Sequence, residues 1–190
     1  MRKIASKEQE EKRKKRNQWV VGSILIFVMF FSVFGYAFYG GGGTDENNNK
    51  KIIYNGFEFI EQNGFWFVNV QGVNFVFRNN PNDAEKIHSN LNNINNYVGK
   101  PLYIQSESKE ADIEIDDNLR QMVLRKQPAC LDKETCTDDS PIKTCEDNFI
   151  IIKENNETSV RQEENCVFIQ GPQEDLVKIT DGFLLKILGI

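Results

Sequence analysis

Hydrophobic residues follow three patterns along this chain, and each pattern predicts a different structure. Residues 19–39 form an uninterrupted run without a charged side chain. Residues 55–78 alternate aromatic and polar positions with a period of two, which is typical of half-buried β-strands. Residues 173–188 repeat apolar side chains every three or four positions, which is typical of an amphipathic helix. A membrane anchor, a sheet and a packed helix are therefore expected in that order.

The uncharged run predicts a transmembrane helix over 19–39. At a rise of about 1.5 Å per residue, a helix of this length spans roughly 30 Å, the thickness of the hydrocarbon core of a bilayer. Trp19 lies at one end and Tyr36 and Tyr39 at the other, and aromatic rings favour both membrane interfaces. A cleaved signal peptide is the main alternative, but the run is longer than the usual apolar region of such peptides and ends in bulky Phe38 and Tyr39. We therefore expect an uncleaved signal-anchor helix.

The charge distribution predicts the orientation of this helix. The whole chain has a formal net charge of −5, but residues 1–18 contain eight basic and three acidic residues. Because no basic residue directly follows the apolar run, the positive-inside rule places the N-terminus in the cytoplasm and the C-terminal domain outside a cell membrane that is crossed once. The lipid bilayer is the partner expected for 19–39. The acidic remainder excludes a globally basic nucleic-acid binder, and we expect no nucleic-acid partner.

Four segments are predicted from these features. They are a basic cytosolic tail (1–18), the transmembrane helix (19–39), a flexible Gly/Asn tether (40–51) and an extracytoplasmic α+β domain (52–190). The domain is predicted to be a mainly antiparallel sheet that packs with two or three helices and is stapled by disulfides. Its length is sufficient for one hydrophobic core.

The first part of the domain predicts a three-stranded meander over 52–61, 65–70 and 73–78. Asn63-Gly64 and Gln71-Gly72 supply the turns, since both central positions of a type I′ turn need a positive φ. Trp66 is expected on the opposite sheet face from the phenylalanines, which makes it a candidate surface contact. The phenylalanines are expected together on one covered face: Phe57, Phe59, Phe65, Phe67, Phe75 and Phe77.

The remaining elements are predicted from periodicity alone. Ile87, Leu91, Ile94 and Val98 indicate an amphipathic helix that ends at Gly99. The continuous apolar run over 149–152 indicates a central strand. The other predicted elements are strands over 102–105, 112–116, 158–162 and 166–170, helical potential over 118–126, and a helix over 173–188.

All four cysteines, Cys130, Cys136, Cys145 and Cys166, lie in the predicted exterior domain. An even number on the oxidising side of a membrane indicates two disulfides, and three pairings are open. We prefer Cys130–Cys136 and Cys145–Cys166. The paired CxxC spacing of a zinc or thioredoxin-type redox centre is absent, so metal sites and catalytic thiols are less favoured.

The sequence offers little further chemistry. His88 is the only histidine, and no nucleotide-binding, hydrolase or metalloprotease motif is present. Acidic residues over 112–117 are the only group that we consider for a carboxylate-dependent enzyme. Asn156-Glu157-Thr158 matches the N-glycosylation pattern, which makes Asn156 a candidate acceptor. We expect no cofactor and no metal.

Several pieces of the outer domain carry a resemblance. They are the Asn-Gly-Phe meander, the segments 101–104 and 165–169, Cys145 before 149–152, and the closing helix that leads to Gly189 and Ile190. Over about 52–190 they resemble a group of uncharacterised archaeal-type single-pass membrane proteins. That resemblance implies a membrane-anchored outer domain and no activity that can be carried onto a residue.

The function favoured by these features is a membrane-anchored extracytoplasmic binding or interaction domain, with another envelope protein or a glycan as its partner. One alternative is an accessory subunit of a membrane complex that acts through 19–39. The other is a carboxylate-dependent envelope enzyme. The absence of a catalytic signature favours a non-enzymatic role but leaves catalysis open.

Overall fold

The computed structural model describes Trp19, residues 22–26, 28–29, 50–134, 136 and 139–190. The described residues of the apolar run are helical, and no helix within the described ranges is long and apolar enough to cross a membrane. The rest of 19–39, the basic tail and residues 40–49 lie outside the described residues, so these assignments stay predictions. Residues 49–190 form one compact unit.

Four antiparallel strands open this unit, in the spatial order of the sequence. Two-residue turns join them at Asn55-Gly56, Asn63-Gly64 and Gln71-Gly72, and both residues of each turn have positive φ. The predicted strand over 52–61 is therefore two strands, because Asn55-Gly56 forms the same turn as Asn63-Gly64. The strands are β1 (Lys51–Tyr54), β2 (Phe57–Gln62), β3 (Phe65–Val70) and β4 (Val73–Phe77).

The register of these hairpins corrects the prediction for Trp66. Phe59 pairs with Val68, and Trp66 pairs with Phe77. Directly paired residues share a sheet face, so Trp66 belongs with Phe59 and Phe77, whereas Phe65 and Phe67 face the other way. Trp66 is 5% exposed and lies in the core. The prediction of Trp66 as a surface contact and of one face with all six phenylalanines is wrong.

The second sheet has five strands in the order β6-β5-β7-β9-β8. Three of its pairings are parallel and only β8 runs antiparallel to its neighbour. The predicted mainly antiparallel arrangement therefore holds for the first sheet and is wrong for the second. The strands are β5 (Pro101–Ser106), β6 (Arg125–Pro128), β7 (Asn148–Glu154), β8 (Ser159–Glu163) and β9 (Cys166–Gly171).

Two α-helices and a short 3-10 helix (Ile94–Asn96) accompany the sheets. Helix α1 (Lys109–Leu119) begins where Ser108 Oγ accepts the Ala111 amide at 3.3 Å. The predicted strand over 112–116 is therefore wrong, as is the helix over most of 118–126, where α1 ends and β6 follows. Helix α2 (Leu176–Leu188) confirms the closing helix and ends at Gly189 with φ 78°.

The helix predicted around Ile87, Leu91, Ile94 and Val98 is wrong. The chain instead crosses α2 without regular structure, and the Glu85 amide donates to the Lys178 carbonyl at 3.2 Å. A Cβ atom on Gly182 would lie 2.0 Å from the Glu85 carbonyl oxygen. The backbone at Glu85 therefore lies directly against Gly182, where any larger side chain would clash.

Both helices lie between the two sheets and share one core with them. The other face of the five-stranded sheet packs beneath the loop that joins β6 to β7. This burial of both sheet faces explains the continuous apolar run of β7, as expected for a central parallel strand. The largest fully buried side chains of the unit are Tyr97, Phe59, Phe75, Phe77, Phe149, Phe183, Leu102, Ile115, Leu119, Ile150, Ile151 and Ile152.

Candidate functional site

The two disulfides fasten the loop over 129–147. Cys130 is bonded to Cys136 and Cys145 to Cys166, with Cα–Cα distances of 5.5 Å and 4.8 Å, which is the preferred pairing from the sequence. Cys166 belongs to β9, so the second bond ties the loop directly to the sheet. These cysteines hold a cover over a buried sheet face and are engaged in bonds, which leaves none of them as a free thiol.

Helix α1 and the turn that follows it close the β4 edge of the four-stranded sheet with three side chains. Gln121 Nε2 donates to the Asn74 carbonyl at 3.0 Å. Asn118 accepts the Val76 amide at 2.8 Å and donates to the Val76 carbonyl at 2.7 Å. Glu114 Oε1 accepts the Arg78 amide at 3.2 Å. We call this row the closed edge, because side chains replace the next strand of the ladder.

The spacing of these side chains explains why each one meets a backbone group at the β4 edge. Positions 114 and 118 lie one turn apart on the same face of α1, and four helical residues rise about 6 Å. Two strand residues advance about 6.8 Å, so Glu114 and Asn118 meet Arg78 and Val76, and Gln121 in the turn after α1 meets Asn74. This stripe could have been read from the sequence only if 112–116 had been assigned to a helix, and our prediction missed it.

Glu114 also belongs to a buried acidic pair with Asp181 of α2. The two side chains are 2% and 0% exposed, and Arg78 Nε lies 3.2 Å from Glu114 Oε2. Burial and the nearby Asp181 carboxylate raise the pKa of Glu114 to about 9, and burial raises the pKa of Asp181. Because the pKa of both carboxyls is raised, the pair as a whole favours keeping a proton at neutral pH.

Asn79 supplies the remaining polar contacts of the pair. Its backbone amide and Nδ2 donate to Asp181 Oδ2 at 3.2 Å and 2.8 Å. No substrate reaches carboxyl groups that are buried to this extent, so the pair acts as a structural link between β4, α1 and α2.

The acidic group over 112–117 does not form a catalytic cleft. Asp112 and Asp116 both pair with Lys126, and Asp116 also pairs with Arg120. Asp116 and Asp117 border a wide, shallow hollow of about 560 Å³. Carboxylates that are held in ion pairs at the rim of a shallow surface are poor candidates for general acid–base work, since no enclosed cleft brings a substrate against them.

The sheet face that points away from the helices is the strongest candidate for a contact surface. An apolar row of Ile60, Phe67 and Val76 crosses three strands, and these side chains are half-buried. Phe65 is 38% exposed and Ile53 is 78% exposed on the same face. We call this surface the outer face. Its polar members are Lys51, Glu58, Gln62, Asn69 and Asn74.

The first strand leaves the opposite edge of the sheet open. Glu61 donates to the Lys50 carbonyl at 2.8 Å, and antiparallel pairing alternates along a strand. The amide and carbonyl groups of Lys51 and Ile53 therefore point away from β2. No partner for these groups is found within the part of the chain that the structure describes. We call this row the open edge.

The other candidate residues lie apart from the outer face. His88 is exposed on the segment that crosses α2, and Asn156 is exposed in the connection between β7 and β8. Glycosylation of Asn156 stays a prediction. Among the described residues, no group of three or more His, Cys, Asp or Glu side chains is placed to hold a metal ion.

Comparison of the sequence with protein-family models, curated proteins and solved structures finds no match. The resemblance to archaeal-type single-pass membrane proteins stays a prediction.

Proposed function

We propose that this protein is a membrane-anchored extracytoplasmic interaction domain that contacts another envelope protein through its outer face. The observation that carries the proposal is the apolar row of Ile60, Phe67 and Val76 with exposed Phe65 beside it and polar residues around it. Protein interfaces commonly have an apolar centre with an aromatic anchor and a polar rim. The buried Glu114–Asp181 pair supports a non-enzymatic role, because these carboxyls serve the fold.

The proposed anchor would present this surface close to the membrane. The predicted tether over 40–51 leads into β1, and Gly-rich chains of this kind behave as flexible coils. A partner in the same membrane or envelope would therefore be within reach.

Site-specific photo-crosslinking of the full-length protein in its own membrane tests the contact. A photoreactive residue at Phe65 or Glu58 should yield the same protein adduct, because both positions lie on the outer face. The matched control at Glu174 is exposed but precedes α2, on another surface. Adding Phe67→Glu should reduce the adduct from Glu58 about tenfold or more, since a hot-spot aromatic contributes about 2 kcal/mol.

Three outcomes would contradict this proposal. Equal adducts from Glu174 would show that the outer face has no preference. A glycan adduct would show that the partner is a glycan and not a protein. A third outcome is that the partner is recovered only when 19–39 is retained and is lost when the anchor is exchanged. This outcome would favour an accessory subunit that acts through its helix.

Protease treatment of intact cells tests the orientation separately. Because the C-terminal domain is proposed to lie outside, the protease should remove it while a cytosolic marker stays intact. Full protection of residues 50–190 in cells with accessible surfaces would contradict the topology.

A further inference from the structure

We propose that the open edge of β1 pairs with β1 of a second copy, in antiparallel orientation, to form one continuous eight-stranded sheet. This inference goes beyond the proposed function. The pairing depends on β1 alone, and the proposed anchor would only raise the local concentration of the two copies.

The asymmetry of the sheet supports this pairing. At the closed edge, side chains of α1 and of the turn after it bond the Asn74 carbonyl, both backbone groups of Val76 and the Arg78 amide. At the open edge, the outward groups of Lys51 and Ile53 have no such partner among the described residues. Unpaired strand edges are templates for pairing with another chain unless they are covered or blocked. No proline stands in this four-residue strand, and the charge of its one lysine, Lys51, is paired with Glu58 at 2.9 Å.

Only one antiparallel register uses every outward group of both strands. It places Lys51 opposite Ile53 of the second copy, and Ile52 opposite its own symmetry mate. A shift of two residues in one direction would set Lys51 against Lys51 with like charges. The opposite shift would set Lys51 against Asn55, whose φ of 46° belongs to a turn and not to a strand. A shift of one residue would place the outward backbone groups of one copy opposite residues of the other copy whose backbone groups point toward its own β2.

The side chains are complementary in this same register. The exposed Ile53 would lie beside the alkyl stem of Lys51 of the second copy on the outer face. The Lys51 ammonium can keep its ion pair with Glu58, at 2.9 Å, because only its stem is covered. Both outer faces would then join into one surface, with the contact repeated on each side of the two-fold axis. An isologous interface of this kind is self-complementary, as closed dimers require.

Disulfide trapping of the full-length protein in its membrane tests the register. Ile52→Cys places one cysteine from each copy in a non-hydrogen-bonded pair, with Cα atoms about 4.5 Å apart. That separation suits a disulfide, so mild oxidation should give a dimer that contains two differently tagged copies. Glu174→Cys is the matched control, since it is exposed and lies outside β1.

A second substitution on the trapping background tests the backbone bonds. Ile53→Pro removes an amide that points away from β2, whereas Ile53→Ala keeps this amide and shortens the side chain. Two bonds are lost per dimer, so Ile53→Pro should reduce the dimer yield about tenfold, and Ile53→Ala should reduce it much less. Retention of both native disulfides in each variant shows that the domain has folded.

Each alternative result overturns the proposal. The pairing is excluded if Ile52→Cys yields only monomer, or if its dimer yield is no greater than that of Glu174→Cys. An adduct between Ile52→Cys and a different protein assigns the edge to another occupant. An unchanged yield with Ile53→Pro excludes a backbone-paired interface. The photo-crosslinks from Glu58 would be unaffected by any of these results if the outer face has its own partner.

Discussion

The four-stranded sheet ends differently on its two sides. At the β4 edge, the buried Asn118 side chain fills both hydrogen bonds of Val76, with Glu114 and Gln121 on either side. At the β1 edge, Ile53 is 78% exposed and its backbone points outward. One edge is completed by side chains of the fold itself, whereas the other has no partner among the residues that the structure describes.

This difference shows that the same backbone geometry can be completed within the fold or left exposed at its edge. The closed edge combines hydrogen bonds with burial, so a lost partner leaves polar groups without water. The open edge is hydrated in a single copy, so its groups cost little until they are desolvated. We therefore expect substitutions at the closed edge to change stability, and substitutions at the open edge to change association.

Asn118→Leu should have the largest effect on stability. The substitution leaves the Val76 amide and carbonyl unpaired and removes a bond to the Glu114 carbonyl at 3.0 Å. Buried groups without partners cost about 1–3 kcal/mol each, so we expect a loss of at least about 3 kcal/mol. Denaturation of the full-length protein in micelles measures it, with Trp66 as the fluorescent reporter in a Trp19→Phe background.

Gln121→Ala is the matched control for that substitution. Gln121 is exposed and makes one bond to the same edge, so it should cost less than about 1 kcal/mol. Equal losses of unfolding free energy for the two variants would show that burial does not make Asn118 more important to stability than Gln121.

Glu114→Gln should change the pH dependence of stability. The pKa of Glu114 is raised by folding, so the folded state keeps a proton that the unfolded state loses, and the free energy of unfolding should fall as pH rises from about 5 to about 9. The slope approaches about 1.4 kcal/mol per pH unit for one proton. Glutamine is neutral and can still donate to Asp181, so the slope should flatten.

Urea denaturation at several pH values between 5 and 9 gives this slope. Glu58→Gln is the matched control, because Glu58 is exposed on the outer face. If Glu114→Gln has the same slope as the wild type, Glu114 is not the cause of the pH dependence.

Ile53→Pro should have the smallest effect on stability. Its amide points away from β2 and β1 is extended there, so we expect a change below about 1 kcal/mol. Ile52→Pro is the contrasting variant, because Ile52 pairs with Phe59 and would lose a ladder bond. Similar thermal transitions for the two proline variants would contradict the assignment of the open edge.

Local patterns were sufficient to predict several elements. Asn63-Gly64 forms its turn because both positions tolerate positive φ, and the apolar run over 149–152 indicated a central strand. The preferred cysteine pairing is the observed one. The hairpin turns also fix the strand register that places Trp66 inside, because a two-residue turn pairs the residues on either side of it. The prediction of faces did not use this pairing.

Other features depended on contacts between distant parts of the chain. The residues around Ile87 have a helical period, but the chain there has no regular structure and its Glu85 backbone bonds Lys178 and lies against Gly182. The alternation over 112–116 fits a strand, yet Ser108 caps a helix there and the buried Glu114 faces β4 and Asp181. In both cases tertiary packing overrides a weak local preference.

The sequence by itself determined the turns, the central strand and the closing helix, and favoured one of three cysteine pairings, because these depend on residues that are close together or on few alternatives. Only the tertiary structure decided that polar side chains of α1 and the turn after it close one edge of the first sheet, and that the other edge has no partner among the described residues. Asn118 and Val76 are 42 positions apart, and no local pattern specifies that the amide of one meets the backbone of the other. The free energy of such a bond depends on burial, which arises only when both sheets enclose the helices.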